Sequence, residues 1–230
     1  MPFKHFIKQA FIRTIPVMMG YGVLGMAFGL LLVKTGYHWL WATGISIFVF
    51  AGSMQFVLVG LLTQQAPLTT VAITTILVNS RHIFYGLSFI DRFKAMGKRG
   101  FYMVFGLTDE TYALLCGLGE VGSKEDRDSL SFWITLLDQS YWVIGTTVGA
   151  LLGSVVAFDI TGIDFAMTAL FTVIFVEQWK TAKHHLPAIV GSICAIGSLL
   201  LFGPDGFLLP ALMVTVAVLL VLRRMLEEHA

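Results

Sequence analysis

The sequence predicts an all-α integral membrane protein, and two observations carry that prediction. Hydrophobic residues make up 57% of the 230 residues and charged residues only 13%, about half the charged share of a soluble domain. Apolar runs of roughly 20 residues, the length that crosses a bilayer, follow one another with short polar breaks. We therefore expect one domain over residues 1–230, a helical bundle of about six to eight membrane segments surrounded by lipid.

Eight apolar runs are the candidate membrane segments. The first follows a basic N-terminus, is long enough to span and lacks a small-residue cleavage site, so we interpret it as an uncleaved helix rather than a signal peptide. The eight are Thr14–Val33, Trp39–Leu62, Leu68–Ile90, Phe101–Leu118, Leu130–Ala157, Ile163–Val176, Leu186–Phe202 and Phe207–Leu222.

Lysines and arginines in the breaks predict cytoplasmic N- and C-termini and a cytoplasmic Asp91–Gly100. If all eight segments crossed, Asp91–Gly100 would lie outside. The conflict disappears if Trp39–Leu62 and Ile163–Val176 are broken or re-entrant segments that return to the side they entered. Glu120–Asp128 is then expected outside, with Leu130–Ala157 running inward. The alternative, seven or eight ordinary helices with an imperfect charge bias, stays open.

The two halves of the chain share a pattern. Gly25-x-x-x-Gly29 in the first segment matches Gly149-x-x-x-Gly153 in the fifth, and each is followed by a small-and-polar segment. With three full crossings per half, this predicts an inverted repeat over about residues 14–118 and 130–222, a design of transporters that bind substrate near the midplane. The glycine stripes themselves are expected to be close-packing surfaces.

Polar residues inside apolar segments are the candidate site, because such groups are costly in lipid unless they line a cavity or find partners. A broken helix at Gly52, or Arg81, would bind a substrate carboxylate. Asp109 and Glu110, in the middle of the fourth segment, would bind an ammonium group or a proton. The predicted substrate-binding residues are Gly52, Ser53, Gln55, Asn79, Arg81, Asp109, Glu110, Asp164 and Thr168, and the proton-coupling candidates are Asp109, Glu110 and His82.

Each of these residues also has a purely structural interpretation. Gly52 and Ser53 can pack helices with Gln55 bridging them, Arg81 can form a structural ion pair, and Asp164 can be interfacial. Asp138 and Gln139 receive no assignment from the sequence. The five tryptophans lie near predicted segment ends, as in an aromatic belt.

Several classes of function are disfavoured. Phosphate-binding, zinc-protease, hydrolase and dinucleotide motifs are missing from the sequence, so an enzyme, ATP hydrolysis, a cofactor and a metal are not expected. A net charge of +1 gives no case for nucleic acid. Cys116 and Cys194 lie in apolar runs and predict no disulfide.

Four motifs follow one another along the chain: Phe50–Phe56, Asn79–His82, Leu107–Glu110 and Gly162–Phe171. Taken together they resemble the AzlC family, the large subunits of bacterial branched-chain amino-acid exporters. The resemblance implies a secondary transporter of the bacterial inner membrane that exports valine, leucine, isoleucine and methionine or their analogues. It also implies a small membrane subunit of the AzlD (YgaH) type.

We expect the substrate between Phe50–Phe56 and Asp164–Phe171, with the two repeats rocking to alternate access and an ion or proton gradient driving export. Two alternatives remain from the sequence. The protein could be an uncoupled channel or facilitator, or a scaffold for a small partner that transports.

Overall fold

The computed structural model describes residues 3–118, 122–155 and 185–227, together with residues 172, 175–176, 179–180 and 182. Ten helices occur in these ranges and no strand, which confirms the all-α class. Asp164 and Thr168 lie outside the described residues. The helices are α1 Phe3–Lys34, α2 Trp39–Phe48, α3 Gly52–Thr63, α4 Leu68–Asn79, α5 Arg81–Ala95, α6 Lys98–Phe105, α7 Asp109–Cys116, α8 Lys124–Val155, α9 Leu186–Gly206 and α10 Leu208–Glu227.

Among the described helices, two stretches are long and apolar enough to cross a membrane, Phe6–Lys34 and Leu186–Gly203. Shorter apolar helices accompany them: α2, α3, α4 and Pro210–Leu222 within α10. Many large apolar side chains face outward, such as Phe101, Leu200 and Val221, which are at least 77% exposed. Exposure of this kind is stable in lipid but not in water.

The chain forms two compact units. One contains residues 1–65 and 79–158, and the other contains residues 66–78 and 159–230. In the second unit α9 packs against α10, and Gly203 interrupts α9 with φ 73°. The first unit contains all the candidate residues that the structure describes.

Two 32-residue helices, α1 and α8, form the centre of the first unit. A Cβ on Gly29 would collide with the backbone of Thr146, and one on Gly149 would collide with the backbone of Met26. The glycine stripes are therefore close-packing surfaces, as predicted. Residue numbers rise together along the contact, from Gly145 beside Tyr21 to Gly149 beside Met26, so α1 and α8 run parallel.

This parallel packing corrects one sequence interpretation. Leu130–Ala157 was expected to run opposite to the first helix, and that orientation is wrong. The matching glycine motifs of α1 and α8 therefore do not mark equivalent helices of an inverted repeat. They match because the same close approach needs small residues on both sides. The inverted repeat and the single-domain organisation stay predictions.

The predicted interruption of Trp39–Leu62 is confirmed. Helix α2 ends at Phe48 and α3 begins at Gly52. Between them Phe50 adopts φ 39°, a left-handed backbone conformation that is uncommon for a bulky residue. The small and polar residues of this stretch allow the chain to leave the helix and begin another.

The prediction of one continuous helix over Phe101–Leu118 is wrong. This part of the chain forms two helices, α6 and α7, of eight residues each, and residues 106–108 separate them. Gly106 lies against Thr135, which leaves no room for a Cβ, and Thr108 caps α7 by accepting a hydrogen bond from the Thr111 amide at 3.3 Å. Each helix is ~12 Å long, too short for a hydrocarbon core of ~30 Å. Leu68–Ile90 is likewise divided, into α4 and α5 at Ser80.

The chain on either side of α6–α7 returns to one end of the first unit. The Arg92 Nε atom donates to the Asp128 Oδ1 atom at 2.9 Å, which joins the end of α5 to the start of α8. The expectation that Glu120–Asp128 lies on the opposite side from Asp91–Gly100 is therefore wrong, because α6 and α7 form a hairpin whose two outer ends meet. Asp91–Gly100, expected as a loop, is helical except for a turn at residues 96–97.

Apolar side chains fix this end of the unit. One buried cluster contains Phe6 of α1, Phe93 of α5, Leu118 just after α7, and Leu130 of α8. The basic N-terminus and the basic turn between α5 and α6 consequently lie at the same end of α1 as the start of α8.

Candidate functional site

The interruption between α2 and α3 places a buried amide against α8. Gln55, in the first turn of α3, is fully buried, and its Oε1 atom accepts a hydrogen bond from Trp142 Nε1 at 2.7 Å. Its Nε2 atom is buried with no hydrogen-bond partner among the described residues. Gly52 allows this approach, because a Cβ there would lie 3.1 Å from the Trp142 ring. This amide nitrogen can therefore donate a hydrogen bond to an acceptor that enters the site.

The tip of the α6–α7 hairpin places a carboxylate against α1. Glu110, in the first turn of α7, accepts a hydrogen bond through Oε2 from the Tyr21 hydroxyl at 2.6 Å. The same hydroxyl lies 2.8 Å from Thr108 Oγ1. Tyr21 is 4% exposed and Glu110 is half-buried, so the carboxylate is the accessible end of this contact.

Aromatic rings connect these two places. The rings of Tyr21 and Trp142 pack edge to face with their centroids 5.2 Å apart. Phe50, at the first interruption, lies 6.4 Å from Tyr21 and 6.3 Å from Phe105, at the second. Both interruptions therefore converge on one pair of rings, with Gln55 bound to one ring and Glu110 to the other.

Gln139 of α8 supports both interruptions. Its Nε2 atom donates to the carbonyl of Ile47, one of the last carbonyls of α2, at 3.0 Å. Its Oε1 atom accepts from the Tyr102 hydroxyl of α6 at 2.6 Å. A carbonyl left open by the end of a helix is satisfied in this way inside an apolar environment.

Asp138 of α8 adds a second acidic side chain to the polar residues around Glu110. It is fully buried, and its Oδ2 atom accepts a hydrogen bond from Thr111 Oγ1 at 2.9 Å. Thr111 in turn contacts Thr108 at 3.1 Å. Two carboxylates, Glu110 and Asp138, are thus joined by the hydroxyls of Tyr21, Thr108 and Thr111.

The remaining predicted residues lie around this centre. Asp109 is the first residue of α7, half-buried, and Ser53 is half-buried beside Gly52 in α3. His82 Nδ1 lies 3.1 Å from the Asn79 carbonyl oxygen, and the His82 ring packs against Tyr85. Tyr85 stacks on Tyr112 of α7 with centroids 4.5 Å apart. Arg81 begins α5, but its side chain is outside the described part, so its predicted pairing with a carboxylate stays a prediction.

Sequence reasoning missed three residues that the structure brings into the site. Tyr21 and Asp138 drew no functional assignment, and Trp142 was assigned to an aromatic belt. That assignment is wrong, because Trp142 is 3% exposed and its N–H binds Gln55. The four-residue spacing of Asp138 and Trp142 could have indicated them, because it places both side chains on one face of α8.

The site carries groups of the two kinds that a zwitterion requires. A half-buried carboxylate attracts an ammonium group, and an amide donor with the N-terminus of α3 attracts a carboxylate. The described residues contain no group of three or more His, Cys, Asp or Glu side chains able to hold a metal ion. An apolar groove of about 500 Å³ between α5 and α6, lined by Ile83, Leu87 and Phe101 among others, shares no residue with this site.

An all-helical membrane chain with two interrupted segments, whose inner ends carry an amide and a carboxylate, belongs to the class of polytopic membrane transport proteins. Comparison with known sequences gives the family. The profile of the AzlC protein family matches residues 16–156, more than half of the chain. The chain therefore belongs to the AzlC family, a transport family rather than an enzyme family, as the sequence motifs predicted.

Individual relatives cover nearly the whole chain. An "Uncharacterized membrane protein" of Helicobacter pylori strain 26695 is 44% identical over 220 residues, 96% of each chain. The "Branched-chain amino acid transport protein AzlC" of Bacillus subtilis is 38% identical over 96% of this chain and 87% of its own length. The "Inner membrane protein YgaZ" of Escherichia coli is 25% identical over 80% of this chain and 78% of its own.

These relatives confirm the membrane localisation of the chain. No solved structure matches it.

Proposed function

We propose that this protein is a secondary transporter that exports branched-chain amino acids, with Glu110 binding the ammonium group and the start of α3 binding the carboxylate. The observation that carries the proposal is the convergence of Gln55 and Glu110 on the touching rings of Trp142 and Tyr21. The 38% identity to a branched-chain amino acid transport protein supports the substrate class.

Charge supports the two ends of the substrate. Glu110 would meet the ammonium group as a charge-assisted hydrogen bond, in a place where Tyr21 already orients the carboxylate. Gln55 Nε2, which is buried with no hydrogen-bond partner among the described residues, would donate to the carboxylate, and the positive end of the α3 dipole would favour the same charge. The rings of Tyr21, Phe50 and Trp142 would contact the branched side chain.

Orientation in the membrane follows from the positive-inside rule. The basic residues in the first half of α1, beside the α5–α6 turn and at the start of α8 lie toward one end of the first unit. This end would face the cytoplasm of a bacterial inner membrane, with the N- and C-termini on that side. A small partner subunit of the AzlD type is part of the proposal, as the family resemblance implies.

The direct test is leucine counterflow in proteoliposomes containing the purified chain. We expect labelled leucine to accumulate against its gradient when the liposomes are loaded with unlabelled leucine, which a pore does not support. Glu110→Gln should lower the rate of leucine counterflow about tenfold or more, because the substrate loses one hydrogen bond to a charged group. Glu125→Gln, an exposed residue at the start of α8, is the matched control and should transport like wild type.

Two outcomes would count against the proposal. Leucine equilibrating without counterflow would favour an uncoupled channel. Counterflow that requires added AzlD-type subunit, and persists in Glu110→Gln, would favour a scaffold role for this chain.

A further inference from the structure

Asp138 is a buried carboxyl group in the middle of α8, within the apolar run that the sequence predicts to span the membrane, and the substrate site as proposed does not use it. It lies 14 residues after Lys124, the first residue of α8 (138 − 124), which is ~21 Å along the helix. Its side chain is fully buried, and its Oδ1 atom has no hydrogen-bond partner among the described residues. The described part of the chain offers it no ion pair either. A charged carboxylate in such surroundings is costly.

Four contacts connect Asp138 to the accessible Glu110. Glu110 Oε2 to Tyr21 Oη is 2.6 Å, Tyr21 Oη to Thr108 Oγ1 is 2.8 Å, Thr108 Oγ1 to Thr111 Oγ1 is 3.1 Å, and Thr111 Oγ1 to Asp138 Oδ2 is 2.9 Å. Among the described side chains, the titratable groups that interact electrostatically with Asp138 are Glu110, Tyr21 and Tyr102, and none of these is a cation.

Counting protons shows what this chain of contacts requires. The three hydroxyls of Tyr21, Thr108 and Thr111 supply three protons for four contacts. If Glu110 and Asp138 are both ionised, one contact has no hydrogen and two like charges share the site. One additional proton on either carboxyl group completes all four hydrogen bonds. When that proton is on Glu110, each group donates to the next one toward Asp138. When it is on Asp138, each group donates to the next one toward Glu110.

We propose that Glu110 and Asp138 hold one proton between them, and that Asp138 is the proton-carrying residue of the transport cycle. This inference rests on the proposed function for its link to transport. In the transfer the O–H bond of Glu110 breaks, each hydroxyl passes its proton to the next, and an O–H bond forms on Asp138. No other reactant takes part, and the chain of hydroxyls reverses its direction.

A proton and an ammonium group compete for this pair of carboxyl groups. In the empty site the shared proton lies on Asp138 or on Glu110, and only Glu110, which is half-buried, can exchange it with water. An ammonium group at Glu110 supplies the positive charge that the proton supplied, so the proton leaves to water as the substrate binds. One proton then moves inward for each substrate that moves outward, and Asp138, which has no exposed surface of its own, holds the proton in the empty site. The dependence of transport on a pH gradient is thus a property of Asp138.

The test compares pH-driven leucine flux with leucine counterflow in proteoliposomes. Asp138→Asn keeps an acceptor for Thr111 and an amide donor but cannot release a proton, so it fixes the state with an ionised Glu110. We expect the ratio of pH-driven flux to counterflow to fall about tenfold or more in Asp138→Asn. A ratio equal to that of wild type would overturn the proposal.

A pair of threonine variants tests the hydroxyl chain. Thr111→Val removes the hydroxyl and should lower the same ratio, whereas Thr111→Ser keeps it and should behave like wild type. Equal ratios in the two variants would refute transfer through Thr111.

An infrared measurement separates this inference from the proposed function. At neutral pH wild type should show the C=O stretch of one protonated carboxyl group that disappears in Asp138→Asn. If that band is missing from wild type, the shared proton is refuted whatever the protein transports. If the band is present but leucine counterflow is not, the shared proton is supported and the transport proposal fails.

Discussion

Trp142 Nε1 donates a hydrogen bond to Gln55 Oε1 at 2.7 Å, which ties the first turn of α3 to the middle of α8. Both side chains are buried, so the hydrogen bond has no competition from water. The amide is thereby fixed with its Nε2 donor pointing away from Trp142. This orientation is what makes Gln55 a candidate ligand for a carboxylate.

Replacing Trp142 with Phe should therefore destabilise the protein and weaken substrate binding. The change leaves the Gln55 oxygen buried without a donor, which costs about 1–3 kcal/mol. Thermal unfolding in detergent measures the loss of stability, and leucine binding measures the loss of orientation. Trp41→Phe is the control, since Trp41 is 63% exposed. Equal effects of the two substitutions would contradict the assignment.

Gly149→Ala should destabilise the α1–α8 pair. Its Cβ would collide with the backbone of Met26, and neither helix backbone can move without separating the pair. Overpacking of this kind costs typically 1–3 kcal/mol, visible as a lower midpoint of thermal unfolding. Gly20→Ala on α1 has nothing within 4 Å of its Cβ and should be neutral or slightly stabilising. Tolerance of Gly149→Ala would show that the two helices pack less closely.

Because the outer ends of α6 and α7 meet at the Arg92–Asp128 ion pair, we expect the positions flanking this hairpin to be reached from the same side of the membrane. In a variant without the two native cysteines, Lys94→Cys and Glu125→Cys should react with an impermeant thiol reagent from one side. Thr35→Cys, beyond the far end of α1, should react from the other. Labelling of positions 94 and 125 from opposite sides would mean that α6–α7 crosses the membrane.

The sequence predicted the membrane class, the interruption at Phe50 and the close packing of the glycine stripes. These follow from local chemistry, because a run of small and polar residues is unstable as a lipid-facing helix. The interruption before Asp109 could not be predicted in the same way, since it depends on Gly106 meeting Thr135 from a distant helix. Hydropathy records only that Phe101–Leu118 is apolar and long.

Partners across the chain were equally hidden from the sequence. Tyr21 and Glu110 are separated by 89 positions and Trp142 and Gln55 by 87, and no local pattern predicts such pairs. Asp138 was ambiguous for the same reason. Its significance comes from Thr111 and the hydroxyls beyond it, which are on other elements.

The most direct test of the central claim, that Glu110 and Gln55 bind opposite ends of one amino acid, is a binding cycle with truncated ligands. Leucine, isopentylamine without the carboxylate and 4-methylpentanoate without the ammonium group are measured against wild type, Glu110→Gln and Gln55→Ala. We predict that removing the ammonium group from leucine weakens binding to wild type but makes little further difference to binding by Glu110→Gln. Removing the carboxylate should likewise weaken binding to wild type but make little further difference to binding by Gln55→Ala. Additive losses in both cycles would show that neither residue contacts the end assigned to it.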